Sequence, residues 1–191
     1  LNSSCNSLSR QSSGLSFNDE RIMGTALNGY VSYIDSLDVA GDLTINPNFF
    51  RSLNNAPLSV RGNFINNGKF VANTGRVYFN GDGDRELIHN GIGNFYNLTV
   101  NKSSGMLRID GDSLIKITNN LTLVKGNIGG RNSVQMPNKA LVVDGSISRP
   151  GATPGHVDGR LRLPTVIGAN TKLFTVGIGN NYNPMEMTIN G

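Results

Sequence analysis

The sequence predicts an all-β chain wound as a right-handed parallel β-solenoid, and three observations carry that expectation. Gly and Asn are abundant, with 24 Gly and 27 Asn among 191 residues, and there is no Trp. Gly costs roughly 1 kcal/mol against Ala in a helix interior, and Asn favours turns and left-handed backbone, so long helices are disfavoured. Apolar residues come in short alternating runs bounded by Gly, Asn or Asp, the pattern of half-buried strands. Finally, a similar phrase returns every 19 to 23 residues, as Gly126 to Gly145 and Leu98 to Leu121 show.

The elements follow in order. Leu37 to Ile45 reads LDVAGDLTI and Leu58 to Ile65 reads LSVRGNFI. Setting Gly41 on Gly62, an offset of 21, brings Leu37 onto Leu58, Val39 onto Val60 and Leu43 onto Phe64. Lys69 to Phe79 (KFVANTGRVYF) comes next, followed by YNLTVNKSSG from Tyr96 and NNLTLVKGNI from Asn119. Between those two, MLRIDGDSLIKI (Met106 to Ile117) alternates until Leu114 breaks the phase, and LVVDGSI (Leu141 to Ile147) closes the series. Two short strands with their turns fill about 20 residues, so no helix-sized gap separates the units.

A solenoid explains the period itself. Strands of each coil bond to the coils above and below at about 4.8 Å, so inward Leu, Ile and Val form ladders and turn Asn can stack. About seven coils between residues 15 and 155 would make a rod of roughly 35 Å. The alternative is an antiparallel β-sandwich, which turn signals at roughly 8 to 12 residue intervals would also suit. From Pro150 the texture changes, since PGATPGH carries two Pro and two Gly in seven residues and reads as a connection. The expected organisation is a β-solenoid with an irregular N-terminal cap over 1–155. Residues 156–191 then form a short β-strand cap or the start of a further β-domain, with strands at Val157 to Leu163, Lys172 to Ile178 and Met185 to Ile189. The chain opens on Leu and stops at the turn pair Asn190-Gly191, so a longer parent protein is expected.

Charge and cysteine usage exclude several classes. Charged residues are 16% of the chain and the net charge is +4, which speaks against a disordered, highly charged chain. Lys69, Arg76, Arg85, Lys102 and Arg108 are scattered singly, without the dense basic runs of nucleic-acid binders, so no nucleic-acid partner is expected. Cys5 is the single cysteine, so no disulfide forms within the chain. Asn2-Ser3-Ser4 also lacks the Leu expected three places before a lipid-modified Cys. Apolar stretches such as Ala140 to Val143 are far too short to span a bilayer, so no membrane insertion is expected.

The phrases FYNLTVNKSSG (Phe95 to Gly105), ITNNLTLVKGNI (Ile117 to Ile128), HVDGRLR (His156 to Arg162) and FTVGIGNNYNPMEMTING (Phe174 to Gly191) occur in that order. Together they resemble a β-solenoid module of large, repeat-rich secreted and cell-surface proteins of Bacteroidota-type bacteria, many exported by the type IX secretion route. The resemblance spans about residues 37 to 191. The chain departs from it at Thr175, where Pro is usual, and at Met185-Glu186-Met187, where Val and Thr types are usual. It implies an extracellular, adhesive or scaffolding protein and carries no uniform catalytic activity. It also implies O-glycans at Asp-Ser/Thr-apolar triplets, which Ser36 (Asp35-Ser36-Leu37) and Ser113 (Asp112-Ser113-Leu114) match; turns entering strands account for the same triplets.

Few residues suggest chemistry. In NGDGDRE (Asn80 to Glu86), Asp82, Asp84 and Glu86 could gather oxygens around Ca²⁺, although the spacing fits no EF-hand loop, Arg85 sits among the ligands and an ordinary acidic turn explains the stretch better. Asp110 and Asp112 form a second pair, and these are the close carboxylates that a glycosidase would need. His89 and His156 lack HxH or HExxH partners, no Ser has a G-x-S-x-G setting, and Gly-Ile-Gly-Asn at 91 and 177 lacks a phosphate-loop context. Tyr30, Tyr33, Tyr78, Tyr96 and Tyr182 could stack on sugars if they shared a face. The sequons at Asn97 and Asn120 coincide with the repeat, so ladder Asn explains them. The expected function is a non-enzymatic extracellular structural or adhesive segment of a larger bacterial surface protein: a stalk, adhesin or filament. The alternative is a carbohydrate-binding or polysaccharide-lyase-like β-helix. No catalytic residue and no cofactor other than Ca²⁺ is expected. The expected partners are other domains of the same chain, copies of itself, or surface glycans.

Overall fold

A computed structural model describes residues 15–17, 20–22, 25–27, 30–33, 36–47, 49–52, 54–112, 114–130, 140–164 and 170–189, and within them the chain is all-β, without a helix. Strands β1 (Leu15–Phe17), β2 (Glu20–Ile22) and β3 (Thr25–Leu27) make the first level. Above it come β4 (Tyr30–Tyr33), β5 (Leu37–Val39) and β6 (Leu43–Ile45), then β7 (Phe49–Ser52), β8 (Leu58–Val60) and β9 (Phe64–Asn66). The fourth level is β10 (Lys69–Val71), β11 (Arg76–Phe79) and β12 (Arg85–His89). In the next two levels β13 (Phe95–Asp110) and β14 (Ile115–Gly130) each run almost unbroken around the coil. A seventh comprises β15 (Leu141–Val143), β16 (Ser146–Ser148) and β17 (Val157–Asp158). From the first of these levels to the seventh, the stack is a parallel β-solenoid of about six turns.

Each early coil has three short strands rather than the expected two, because turns break the run at three corners. Every pairing between successive levels is parallel, so the antiparallel sandwich does not form. One inward ladder runs Leu37, Leu58, Val77, Leu98, Leu121 and Ile147. A second begins Leu43, Phe64, Leu87 and Ile109. The burial pattern of β5, β6, β8 and β9 is buried, half-buried, buried, as alternation demands. At mid-height the core is aromatic: Phe64 lies 5.3 Å from Phe70, 6.0 Å from Phe79 and 5.8 Å from Phe95, ring centre to ring centre. Such pairs add about 0.5–1.5 kcal/mol each beyond their burial.

Gly marks the corners where backbones close on one another. The Gly62 N–H donates to the carbonyl of Gly41 at 3.0 Å. A Cβ on Gly81 would stand 1.6 Å from the carbonyl oxygen of Arg61, and one on Gly145 1.7 Å from that of Asn119. Recurrent Gly is therefore a requirement of stacking as well as of turning.

The ladder does not stop at Pro150. Val157 pairs with Ile128, and β18 (Leu161–Arg162) pairs with β15. Strand β20 (Val176–Ile178) continues from β17, with Val176 beside Val157. Antiparallel pairing appears at this end: β19 (Asn170–Phe174) with β22 (Met185–Ile189), and β20 with β21 (Asn181–Tyr182). The strand region expected over 156–191 thus begins inside the ladder and ends in antiparallel pairs. The expected N-terminal cap and Cys5 lie outside the described residues.

Candidate functional site

Polar side chains at the corners reach along the stack rather than toward one another. Arg61 pairs with Asp38 of the coil below at 3.0 Å, and Lys116 with Asp144 at 2.8 Å. The Asn63 N–H donates to Asp42 at 2.7 Å. The acidic turn 80–86 follows the same rule. Asp82 accepts from the Ser103 hydroxyl, and the Gly83 N–H donates to Ser104 Oγ at 3.0 Å. Asp84 takes Arg108 at 2.5 Å and the Met106 N–H at 3.0 Å. Those two bonds, Arg108 first, hold its carboxyl below the ordinary carboxylate range. Glu86 stands on β12, its N–H donating to Asn63 Oδ1 at 2.9 Å. The three Ca²⁺ candidates Asp82, Asp84 and Glu86 are therefore not drawn to a common point, and no group of three His, Cys, Asp or Glu side chains among the described residues could hold a metal ion.

The remaining candidates are dispersed. Asp110 accepts from its neighbour Gly111 N–H at 2.7 Å, while the Asp112 N–H donates to Asn90 at 3.1 Å. Ser36 is exposed just before β5; Asp35 and Ser113 lie outside the described residues. Asn97 and Asn120 are in register, and the Asn119 side-chain amide donates to Asn97 Oδ1 at 2.7 Å. Tyr78 lies on β11, Tyr96 near the start of β13 and Tyr182 on β21, so these three do not line up along the stack.

Two buried polar groups carry no signal in the sequence beyond their odd position in the alternation. Lys102, 1% exposed, turns its ammonium onto the Gly81 carbonyl at 2.6 Å. Burial lowers its pKa to about 8, with Arg85 adding to the shift and Asp82 and Asp84 opposing it. His89 accepts from the Asn66 amide at Nδ1 (3.1 Å), and its Nε2–H faces the Gly93 carbonyl at 3.1 Å. The bond accepted at Nδ1 requires the neutral ring, and burial pushes its pKa below the usual value.

The C-terminal end carries a concave feature. Hairpin β19–β22 leans over the last coil and leaves a cleft of about 610 Å³ lined by Leu161, Phe174, Val176, Met185 and Met187, with Arg160 and Arg162 at its side. On the far side of β17 and β20, Arg149 stacks on Tyr182 with its guanidinium carbon 3.5 Å from the ring centre. Beside that stack, buried His156 presses against Gly177. Alternation reveals the hairpin strands in the sequence, but not that they fold back over the coil.

No protein-family model, curated protein or solved structure matches this chain.

Proposed function

We propose that the chain is a non-enzymatic structural or adhesive segment of a larger extracellular bacterial surface protein, a stiff spacer. The observation that supports this reading is the axial use of its corner side chains: Asp38, Asp42, Asp84 and Asp144 each bond the next coil up or down. Carboxylates so engaged stiffen a rod and are withdrawn from acid–base work. The ladder Asp38, Ser59, Tyr78, Thr99, Thr122 and Ser148, half-buried except for the buried Thr99, is mostly hydroxyl-bearing. Its one carboxylate, Asp38, is bonded to Arg61 and its one aromatic, Tyr78, stands between Ser59 and Thr99, so the ladder gathers no cluster of carboxylates or aromatics such as a polysaccharide lyase or glycan-binding face would need.

The test has two arms. Antibody labelling of intact cells producing the full-length protein is expected to reach this segment. The purified chain is expected to turn over no polysaccharide. Lyase or glycosidase activity, or a segment accessible only after lysis, would overturn the reading.

A further inference from the structure

We propose that the cleft between the last coil and hairpin β19–β22 binds an amphipathic anion: a linear acyl chain ending in a carboxylate. Its walls come from two directions. In the hairpin, Phe174 stands directly across from Met185 and Lys172 from Met187, so these four share one face. Phe174, Met185 and Met187 line the cleft, which identifies that face as the inner one. Opposite them, Leu161 and Val176 line it while packing against the solenoid core, so the apolar floor continues the core.

Size and chemistry both point to a small amphiphile. A space of about 610 Å³ falls within the roughly 300–1,000 Å³ of small-molecule sites, which are mostly apolar with a few placed polar groups. Met185 and Met187 remain 47% and 42% exposed, and flexible thioethers adapt well to an acyl chain. Arg160 and Arg162 flank Leu161 in the lining, Arg160 already engaged within the protein, and the described lining residues include no carboxylate. The nearby acids point elsewhere: Asp158 accepts from the Gly179 N–H at 3.0 Å, and Glu186 stands opposite Leu173 on the other hairpin face. Lys172 adds a third cation on the cleft-side face. A neutral sugar would leave these apolar walls unused, whereas a carboxylate can take a bidentate guanidinium bond while its chain covers the methionines.

Calorimetric titration of the whole chain with dodecanoate and with dodecanol, both below their micelle or solubility limits, tests this. Dodecanoate is expected to saturate one site per chain and to bind at least tenfold more tightly than dodecanol. Arg162→Gln should remove most of that preference and leave dodecanol unchanged, while Met187→Asp should abolish binding of both. Both residues are exposed, and circular dichroism checks that each variant is folded. Absence of saturable dodecanoate binding, equal affinity for acid and alcohol, or binding unchanged in both variants overturns the proposal. Sedimentation showing a dimer that Met187→Asp disperses and dodecanoate does not would assign the face to a second copy instead, and also overturn it.

Discussion

The Asn66 amide and the His89 imidazole, buried on successive coils and 3.1 Å apart, fix each other's orientation. Asn66 also donates to the Ile92 carbonyl at 3.2 Å and accepts the Gly68 N–H at 3.1 Å, so its NH₂ must face His89. A proton on Nδ1 would set donor against donor. Because burial lowers the folded-state pKa of His89, the unfolded chain holds the proton up to higher pH than the folded one. Stability therefore rises with pH up to about the ordinary value of 6.5 and is lost as pH falls through the lowered one. His156, also lowered by burial, acts in the same direction. Melting temperatures from pH 4 to 8 should show this slope, flattened in part by His89→Gln and further by adding His156→Gln. His89→Gln itself should cost about 1–3 kcal/mol, the range for stranded buried partners. A slope unchanged in the double variant would refute the assignment.

Lys102 sets a second window. Its folded-state pKa of about 8 lies below the ordinary 10.5, so the folded chain releases this proton first. Stability then rises between those two values as the buried charge is lost, by at most about 3 kcal/mol at 1.36 kcal/mol per unit. Urea midpoints at pH 7.5 and 10 should increase in the native chain and stay level in Lys102→Met. An equal rise in both would show that another group is responsible.

The ion pair of Asp84 with Arg108 predicts a small effect and an absence of one. The pair is solvent-accessible, so Arg108→Ala should destabilise by about 0.2–1 kcal/mol, less in high salt. With Asp84 held by a guanidinium and Asp82 by Ser103, millimolar CaCl₂ should leave the melting temperature of the native chain unchanged. A calcium-dependent rise reversed by a chelator would show that the turn rearranges around the ion.

Spacing made the stack legible. The pairs Leu37/Leu58, Val39/Val60, Leu43/Phe64 and Leu98/Leu121, aligned from the sequence, are register partners in the structure. Repeats reveal themselves this way because each inward position meets the same neighbour one coil on. Leu114, which broke the alternation, lies exposed outside the strands. Less was legible where identity and direction diverge. Lys102 falls in an outward-looking polar run yet points inward, since its partner is a backbone carbonyl that no residue type announces. The wide step from Ile128 to Val157, 29 positions, hid the continuation of the ladder past Pro150. The cleft depends on how a hairpin folds back, which strand patterns do not encode.

Gly81 gives the sharpest test of the stacked corners. A Cβ there would lie 1.6 Å from the Arg61 carbonyl oxygen and 2.5 Å from its carbon, and both belong to backbone that is itself held in the coil below. Arg85 Nε also donates to that same carbonyl at 3.0 Å, and the Gly81 carbonyl takes Lys102 at 2.6 Å, so moving the corner disrupts contacts on both sides. Gly81→Ala must therefore separate two coils locally, and a loss above about 4 kcal/mol is expected, in the range reserved for strain and broken networks. Gly130 is the control: a Cβ there meets nothing within 4 Å. Gly130→Ala should change stability by no more than about 1 kcal/mol, as the reduced freedom of the unfolded chain favours Ala. Urea denaturation of the two variants side by side decides the matter. Equal, small effects would mean that the coils are not packed backbone to backbone at this corner.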